Sequence, residues 1–102
     1  MIKINEELSF KETSKLIRDL YSALDTVDRN GIYSKRGDWY VGQGAYDLWY
    51  FINYKNSEIA EVTYPGKVSP VYNDSEFPKE FADEIAKLIA NRWDYELSDE
   101  WY

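Results

Sequence analysis

The fold of this chain is decided at Tyr46-Asp47-Leu48-Trp49-Tyr50-Phe51-Ile52-Asn53-Tyr54, its densest run of aromatic residues. Such a run predicts a β-strand. Because strand side chains alternate, we expect Leu48, Tyr50 and Ile52 to face one way and Trp49 and Phe51 the other. Apolar residues on both faces favour a central strand covered on both sides. The alternative is that helices cover one face and leave Trp49 and Phe51 as a contact surface or dimer interface.

Shorter aromatic and β-branched runs flank this strand and are separated by turn residues. They predict strands at residues 39–41, 58–64 and 67–72, with a further short strand at 32–34. Turn signals fall at residues 35–38, 42–44, 55–56 and 65–66. The middle of the chain is therefore predicted to be an antiparallel meander of three or four strands.

An amphipathic helix is predicted before the meander. Ser9 and Glu12 have the spacing of a capping box, and apolar residues then recur at helical intervals as far as Val27. Asn30-Gly31 is a suitable stop, since both residues tolerate the left-handed conformation that ends a helix. The pattern predicts a helix over residues 9–28.

A second helix is predicted after the meander. Pro78 suits a first helical turn. One apolar stripe follows and is formed by Phe81, Ile85, Leu88, Ile89 and Trp93, with Leu97 as a further member. This helix should run to about Glu96. The order of elements predicts one α+β domain over residues 1–102, with both helices packed on one face of the sheet.

Composition argues against an enzyme. The 102 residues include no histidine and no cysteine, which removes the commonest general base and every thiolate nucleophile or ligand. Gly42-Gln43-Gly44 is followed by no helix, and a turn or bulge explains it better than a phosphate loop. We therefore predict no catalytic residues, no metal site and no cofactor.

The sequence predicts a cytoplasmic protein with no membrane contact. Residues 1–7 lack the apolar core of a signal peptide, and no run approaches the ~20 apolar residues of a membrane span.

The formal charge of −7 lies almost entirely in the last third of the chain. Residues 1–29 carry −1, residues 30–72 are neutral, and residues 73–102 carry −6 with nine acids and three bases. So few scattered cations do not favour direct binding of nucleic acid. A basic protein is the partner that this distribution favours.

The C-terminal acids are placed where a helix end would prefer cations. A helix C-terminus already carries partial negative charge, so acids there are unfavourable for the fold. The predicted partner-binding residues are these acids and the aromatic residues among them: Asp94, Glu96, Asp99 and Glu100, with Trp93, Tyr95 and Trp101. The competing interpretation is a solvated, frayed tail.

The segment Asn91-Arg92-Trp93-Asp94-Tyr95-Glu96-Leu97-Ser98-Asp99-Glu100 resembles part of a small phage-encoded anti-CRISPR protein, in which Asn-x-Trp-x-x-Glu is followed by acids. The resemblance covers about a tenth of the chain. It implies an acidic inhibitor that imitates nucleic acid and occupies the DNA site of a CRISPR effector nuclease. By this resemblance Asp94, Glu96, Asp99 and Glu100 would meet arginines and lysines of the nuclease.

Three functions follow in order of preference. The first is an acidic inhibitor of a basic nucleic-acid-binding defence protein, most of all a CRISPR effector nuclease. The second is a structural or adaptor domain that self-associates through Trp49 and Phe51. The third is a toxin-immunity protein, whose electrostatics would match those of the first.

Overall fold

A computed structural model describes residues 9–44, 48–63, 66–72 and 79–97. Its elements are α1 (Phe10–Asn30), β1 (Tyr33–Arg36), β2 (Trp39–Gln43), β3 (Leu48–Tyr54), β4 (Ser57–Thr63), β5 (Lys67–Pro70), α2 (Lys79–Trp93) and β6 (Glu96–Leu97). The α+β class and the order helix, strands, helix are confirmed.

The sheet has more strands than the sequence predicts. Six strands lie in the order β1-β2-β3-β4-β5-β6, and β1 to β5 form an antiparallel meander. The sixth strand, β6, pairs with β5 in parallel, with Lys67 opposite Glu96 and Val68 opposite Leu97. The sheet is therefore mixed, and its last edge strand is formed by the segment that follows α2.

The start and end of α1 match the signals in its sequence. Ser9 accepts a hydrogen bond from the backbone N–H of Glu12, and the Glu12 side chain accepts one from the backbone N–H of Ser9, which completes the capping box. Gly31 ends the helix at φ +92°, and its N–H donates to the carbonyl of Val27 at 2.7 Å. The glycine is needed there because that φ is strained for any side chain.

Both helices pack on the same face of the sheet. Trp39 shows this directly, because its indole N–H donates to the Leu16 carbonyl of α1 at 2.9 Å while its ring packs against Phe81 of α2. Tyr50, Ile52 and Tyr54 of β3 alternate toward this layer and belong to the same buried core. Neither described helix packs on the opposite side of the sheet, which carries Phe51, and we call that side the open face.

The predicted end of α2 is wrong by three residues. The helix ends at Trp93, so Glu96 and Leu97 are not helical, and Leu97 is not part of the helical stripe. Asp94 has φ +57°, a left-handed conformation that turns the chain out of the helix and toward β5. Residue 78, where the prediction begins this helix, lies outside the described residues.

Candidate functional site

The chain leaves α2 through a Schellman motif built on an aspartate. The N–H of Tyr95 donates to the carbonyl of Ala90 at 2.9 Å, and the N–H of Asp94 donates to that of Asn91 at 3.4 Å. These two bonds define the motif, and its left-handed position is usually glycine or asparagine. Asp94 occupies that position here, which costs backbone strain and adds negative charge at a helix C-terminus.

The residues after Asp94 are fixed to the sheet. The N–H of Glu96 donates to the carbonyl of Gly66 at 3.1 Å and begins the parallel pairing of β6 with β5. The side chains of Asp94, Glu96 and Leu97 are exposed. We call the exposed carboxylates of Asp94 and Glu96 the acidic corner. Its backbone is held by hydrogen bonds on both sides, so both carboxylates extend from a defined point of the backbone.

Four aromatic rings form a connected cluster beside the acidic corner, and we call them the aromatic platform: Trp49, Tyr50, Trp93 and Tyr95. The ring centroids of Trp93 lie 5.1 Å from Tyr50 and 5.6 Å from Tyr95, and Tyr95 meets Trp49 edge-on at 5.6 Å. Such tilted and edge-on contacts are favourable for aromatic pairs. Trp93 and Tyr95 are half-buried against the core, so they position the acids and still offer part of their surface.

Trp49 reaches the platform through an irregularity in β3. The pairing of β3 with β4 shifts between Leu48 and Tyr50, which leaves Trp49 as the extra residue. Trp49 packs against the core and against Tyr95. Alternation along an ideal strand places Trp49 with Phe51, and the structure instead brings it to the C-terminal aromatic residues.

The platform is tied to α1 by one hydroxyl. Tyr50 donates to the carboxylate of Asp28 at 3.1 Å. Burial is the main cause that raises the pKa of both Tyr50 and Tyr95 above the usual value, and the charge of Asp28 raises both further. These phenols therefore remain neutral hydrogen-bond donors at physiological pH.

The cation nearest in sequence to the acidic corner is engaged elsewhere. Arg92 forms an ion pair with Asp25 of α1 at 2.6 Å and lies over the ring of Tyr21 at 4.6 Å. Within the described residues, neither Asp94 nor Glu96 forms an ion pair. The two carboxylates are thus available to a cation from another molecule.

Most of the net charge lies outside the described residues. The described ranges hold twelve acids and eleven bases, a net charge of −1, so −6 of the total −7 belongs to the rest of the chain. Of the predicted site residues, Asp99, Glu100 and Trp101 lie outside the described ranges. Two of these acids, Asp99 and Glu100, follow the acidic corner in the sequence.

The open face carries aromatic and acidic residues that the sequence alone does not bring together. Tyr33 and Tyr40 stack at 5.7 Å and are exposed, whereas Phe51 is half-buried. Further along this face, burial raises the pKa of Glu58 from 4.5 to about 7, and hydrogen bonding and charge from Glu61 raise it as well. Cross-strand register creates these neighbours, and register cannot be read from the composition of single strands.

Two concave sites flank the turn after β1. One holds about 230 Å³ between α1 and this turn and is lined by Glu12, Lys15, Leu16, Asp19, Gly37, Asp38, Trp39 and Tyr54. The other holds about 360 Å³ and is lined by Lys35, Gly37, Asp38, Tyr40, Asn53, Lys55 and Asn56. In the described part of the chain, no group of three acidic residues is arranged to hold a metal ion. Neither described helix has the length and apolar character needed to cross a membrane.

The fold and this surface define an α+β domain with an acidic corner beside an aromatic platform. Comparison with protein-family models, with curated proteins and with solved structures finds no match for the chain.

Proposed function

We propose that this protein is an acidic inhibitor that binds a basic nucleic-acid-binding protein and blocks its nucleic-acid site. The leading candidate for this partner is a host defence nuclease such as a CRISPR effector. The observation that carries the proposal is the conformation of Asp94. Asp94 has an exposed carboxylate and a strained, left-handed backbone, and it lies at the negative end of the α2 dipole.

The stability of the fold does not account for Asp94. Glycine or asparagine would relieve the backbone at this position, and a cation near the helix end would interact better with the helix dipole. Strained positions that persist in proteins cluster at binding and switch sites. The cost of Asp94 is understandable if its carboxylate contacts a partner.

The fixed geometry of the acidic corner also suits binding. The pairing of Glu96 with β5 and the packing of Trp93 on Tyr95 fix the backbone that carries the two carboxylates before a partner arrives. Pre-organised groups lose little conformational entropy on binding. Carboxylates that complement a basic nucleic-acid site would speed association, and the partly exposed rings of Trp93 and Tyr95 would add contact area.

A second candidate is an adaptor domain that acts through the open face. The exposed, stacked pair Tyr33 and Tyr40 favours it, because tyrosine is enriched at protein interfaces. A toxin-immunity protein would share the acidic corner, and only the identity of its partner would distinguish it from a nuclease inhibitor.

The first test is capture of partners by the tagged protein from nuclease-treated bacterial lysate, followed by competition with DNA. We expect a basic nuclease to be retained at low salt and released when duplex DNA carrying its recognition sequence is added. Retention of the same nuclease at unchanged yield in the presence of that DNA would contradict blockage of the nucleic-acid site. A toxin recovered in its place would favour the immunity function.

A matched pair of variants then locates the binding surface. Asp94→Asn with Glu96→Gln removes two charges at the acidic corner, and Glu80→Gln with Glu84→Gln removes two exposed charges near the other end of α2. Both double variants change the net charge equally. We expect the variant at Asp94 and Glu96 to weaken nuclease binding at least tenfold more than the variant at Glu80 and Glu84. Equal losses of affinity would show that overall charge, and not the acidic corner, causes the effect.

A further inference from the structure

The outer edge of β1 has two residues whose backbone groups point away from the sheet. The N–H of Gln43 donates to the carbonyl of Ile32 at 2.9 Å, and Tyr33 lies opposite Gly42. Hydrogen-bonded and non-hydrogen-bonded pairs alternate in an antiparallel ladder. Ser34 and Arg36 therefore bond to β2, while the N–H and C=O groups of Tyr33 and Lys35 point outward.

This edge is exposed, and its flank is apolar. Ile32 is 72% exposed and Tyr33 is 59% exposed. Lys35 and Arg36 are exposed as well. An exposed strand edge is a template for pairing with another strand. A strand that pairs here must fit a four-residue edge that carries two cations.

We infer that β1 pairs antiparallel with β1 of a second copy of this chain, around a two-fold axis at Ser34. In this register Tyr33 lies opposite Lys35 of the second copy, and the outward groups of these two residues form four hydrogen bonds in total. Ile32 lies opposite Arg36, and Ser34 lies opposite Ser34. No two like charges face each other across the axis.

Alternative registers of the same edge are poorer. An axis at Lys35 places the two lysines directly opposite each other, which is unfavourable. An axis at Tyr33 leaves the outward groups of Lys35 opposite Gly31, where α1 has just ended. The outward groups and the charges together select the axis at Ser34.

The buried side chain of Ser34 independently favours a two-fold axis at this residue. Ser34 is 4% exposed, and its hydroxyl is buried without a hydrogen-bond partner. A buried hydroxyl without a partner is costly. At the two-fold axis the two Ser34 side chains form a non-hydrogen-bonded cross-strand pair, whose side chains lie close together, so each hydroxyl can bond to the other.

The helices leave room for this pairing. α1 packs on both β1 and β2, so its axis lies above the boundary between them. With strands ~4.8 Å apart, the two α1 helices of the dimer would lie ~10 Å apart, which is a normal helix packing distance. Arg36 donates to Ser22 at 3.2 Å, so a small residue of α1 lies above this edge.

The interface is small, and the dimer should be weak. Four backbone hydrogen bonds and a few side chains make less contact than the ~1,200 Å² of a stable complex. We expect sedimentation velocity to show monomer at about 10 μM and a rising dimer fraction toward about 1 mM. A monomer throughout this range would overturn the inference.

Two substitutions at Tyr33 separate the backbone from the side chain. Tyr33→Pro removes the outward N–H without removing a bond to β2, whereas Tyr33→Ala removes the ring and keeps the N–H. Tyr33→Pro should abolish the dimer and Tyr33→Ala should only weaken it, with unchanged far-UV circular dichroism in both. A dimer that persists in Tyr33→Pro, or one that Phe51→Glu on the open face abolishes, would contradict pairing through β1.

A disulfide tests the register. The chain has no cysteine, so Ser34→Cys introduces a single thiol. Residues in a non-hydrogen-bonded pair have Cα atoms about 4.5 Å apart, which is within the range of disulfides. Under mild oxidation this variant should form a covalent dimer faster than Lys55→Cys, whose thiol would lie on an exposed turn. Faster crosslinking of the exposed thiol would reject an axis at Ser34.

Discussion

The ring of Tyr95 lies directly against the backbone of Gly66. A Cβ atom on Gly66 would lie 3.1 Å from Cδ1 of Tyr95, and Gly66 has φ +125°. Gly66 also accepts the hydrogen bond from Glu96 that begins β6. This contact joins the turn between β4 and β5 to the segment after α2, and it fixes the position of the acidic corner.

Gly66→Ala should therefore destabilise the fold more than Gly31→Ala. Both glycines have positive φ, but a Cβ on Gly31 would meet no atom within 4 Å. We expect Gly31→Ala to cost about 1 kcal/mol from backbone strain, and Gly66→Ala to cost at least about 1 kcal/mol more. Urea denaturation monitored by circular dichroism measures the difference, and equal costs would argue against the Tyr95 contact.

Asp94→Gly should stabilise the protein. It relieves the left-handed backbone and removes a negative charge from the end of α2, a combined gain of up to about 1 kcal/mol in the free energy of unfolding. Asp94→Asn removes the charge but keeps a residue that tolerates this conformation, so its gain should be smaller. A loss of stability in Asp94→Gly would show that the carboxylate itself supports the fold.

The stability of the protein should depend on Glu58 between about pH 4.5 and pH 7. The fold raises the pKa of Glu58 from 4.5 to about 7. The folded state therefore binds more protons than the unfolded state in this window, and the contribution of Glu58 to stability is lost as pH rises through 7. Glu58→Gln should flatten the fall in unfolding free energy over this range.

Two carboxyl variants serve as controls for that pH dependence. Glu61→Gln removes the neighbouring charge that helps to raise the pKa of Glu58, so it should shift the fall in stability to lower pH. Glu84→Gln changes an exposed carboxyl of α2 and should leave the window in place. The same flattening in Glu84→Gln and Glu58→Gln would assign the effect to net charge.

The capping box of α1 should contribute measurably. Ser9→Ala removes the acceptor for the Glu12 N–H and should cost about 1 kcal/mol of unfolding free energy. Ser14→Ala, a substitution inside α1 toward a better helix former, is a suitable control and should not lower stability. Equal effects at the two positions would mean that the cap contributes little to folding.

Local signals explain why much of the fold can be predicted. The capping box at Ser9, the stop at Gly31 and the alternation of Tyr50 with Ile52 all act within a few residues, and each appears in the structure. The class of the fold and the layer of helices follow from them. The ends of strands are harder to predict from the sequence because they depend on pairing partners.

Long-range pairing explains what could not be predicted. An aspartate at the end of α2 gives no glycine-like stop signal, and β6 exists only because Glu96 meets Gly66 some thirty residues earlier. The shift at Trp49 and the stack of Tyr33 on Tyr40 likewise depend on register. The acids of the candidate site follow from charge, from their place at a helix end and from the resemblance, whereas the ring contacts of the aromatic platform required the structure.

The most direct test of the proposed function is the salt dependence of binding to the captured nuclease. Dissociation constants for the unaltered protein and for Asp94→Asn with Glu96→Gln are measured at low and moderate salt. We expect salt to weaken binding of the unaltered protein, and we expect the double variant to bind more weakly and to respond less to salt. Identical affinities with the same response to salt would contradict a role for the acidic corner.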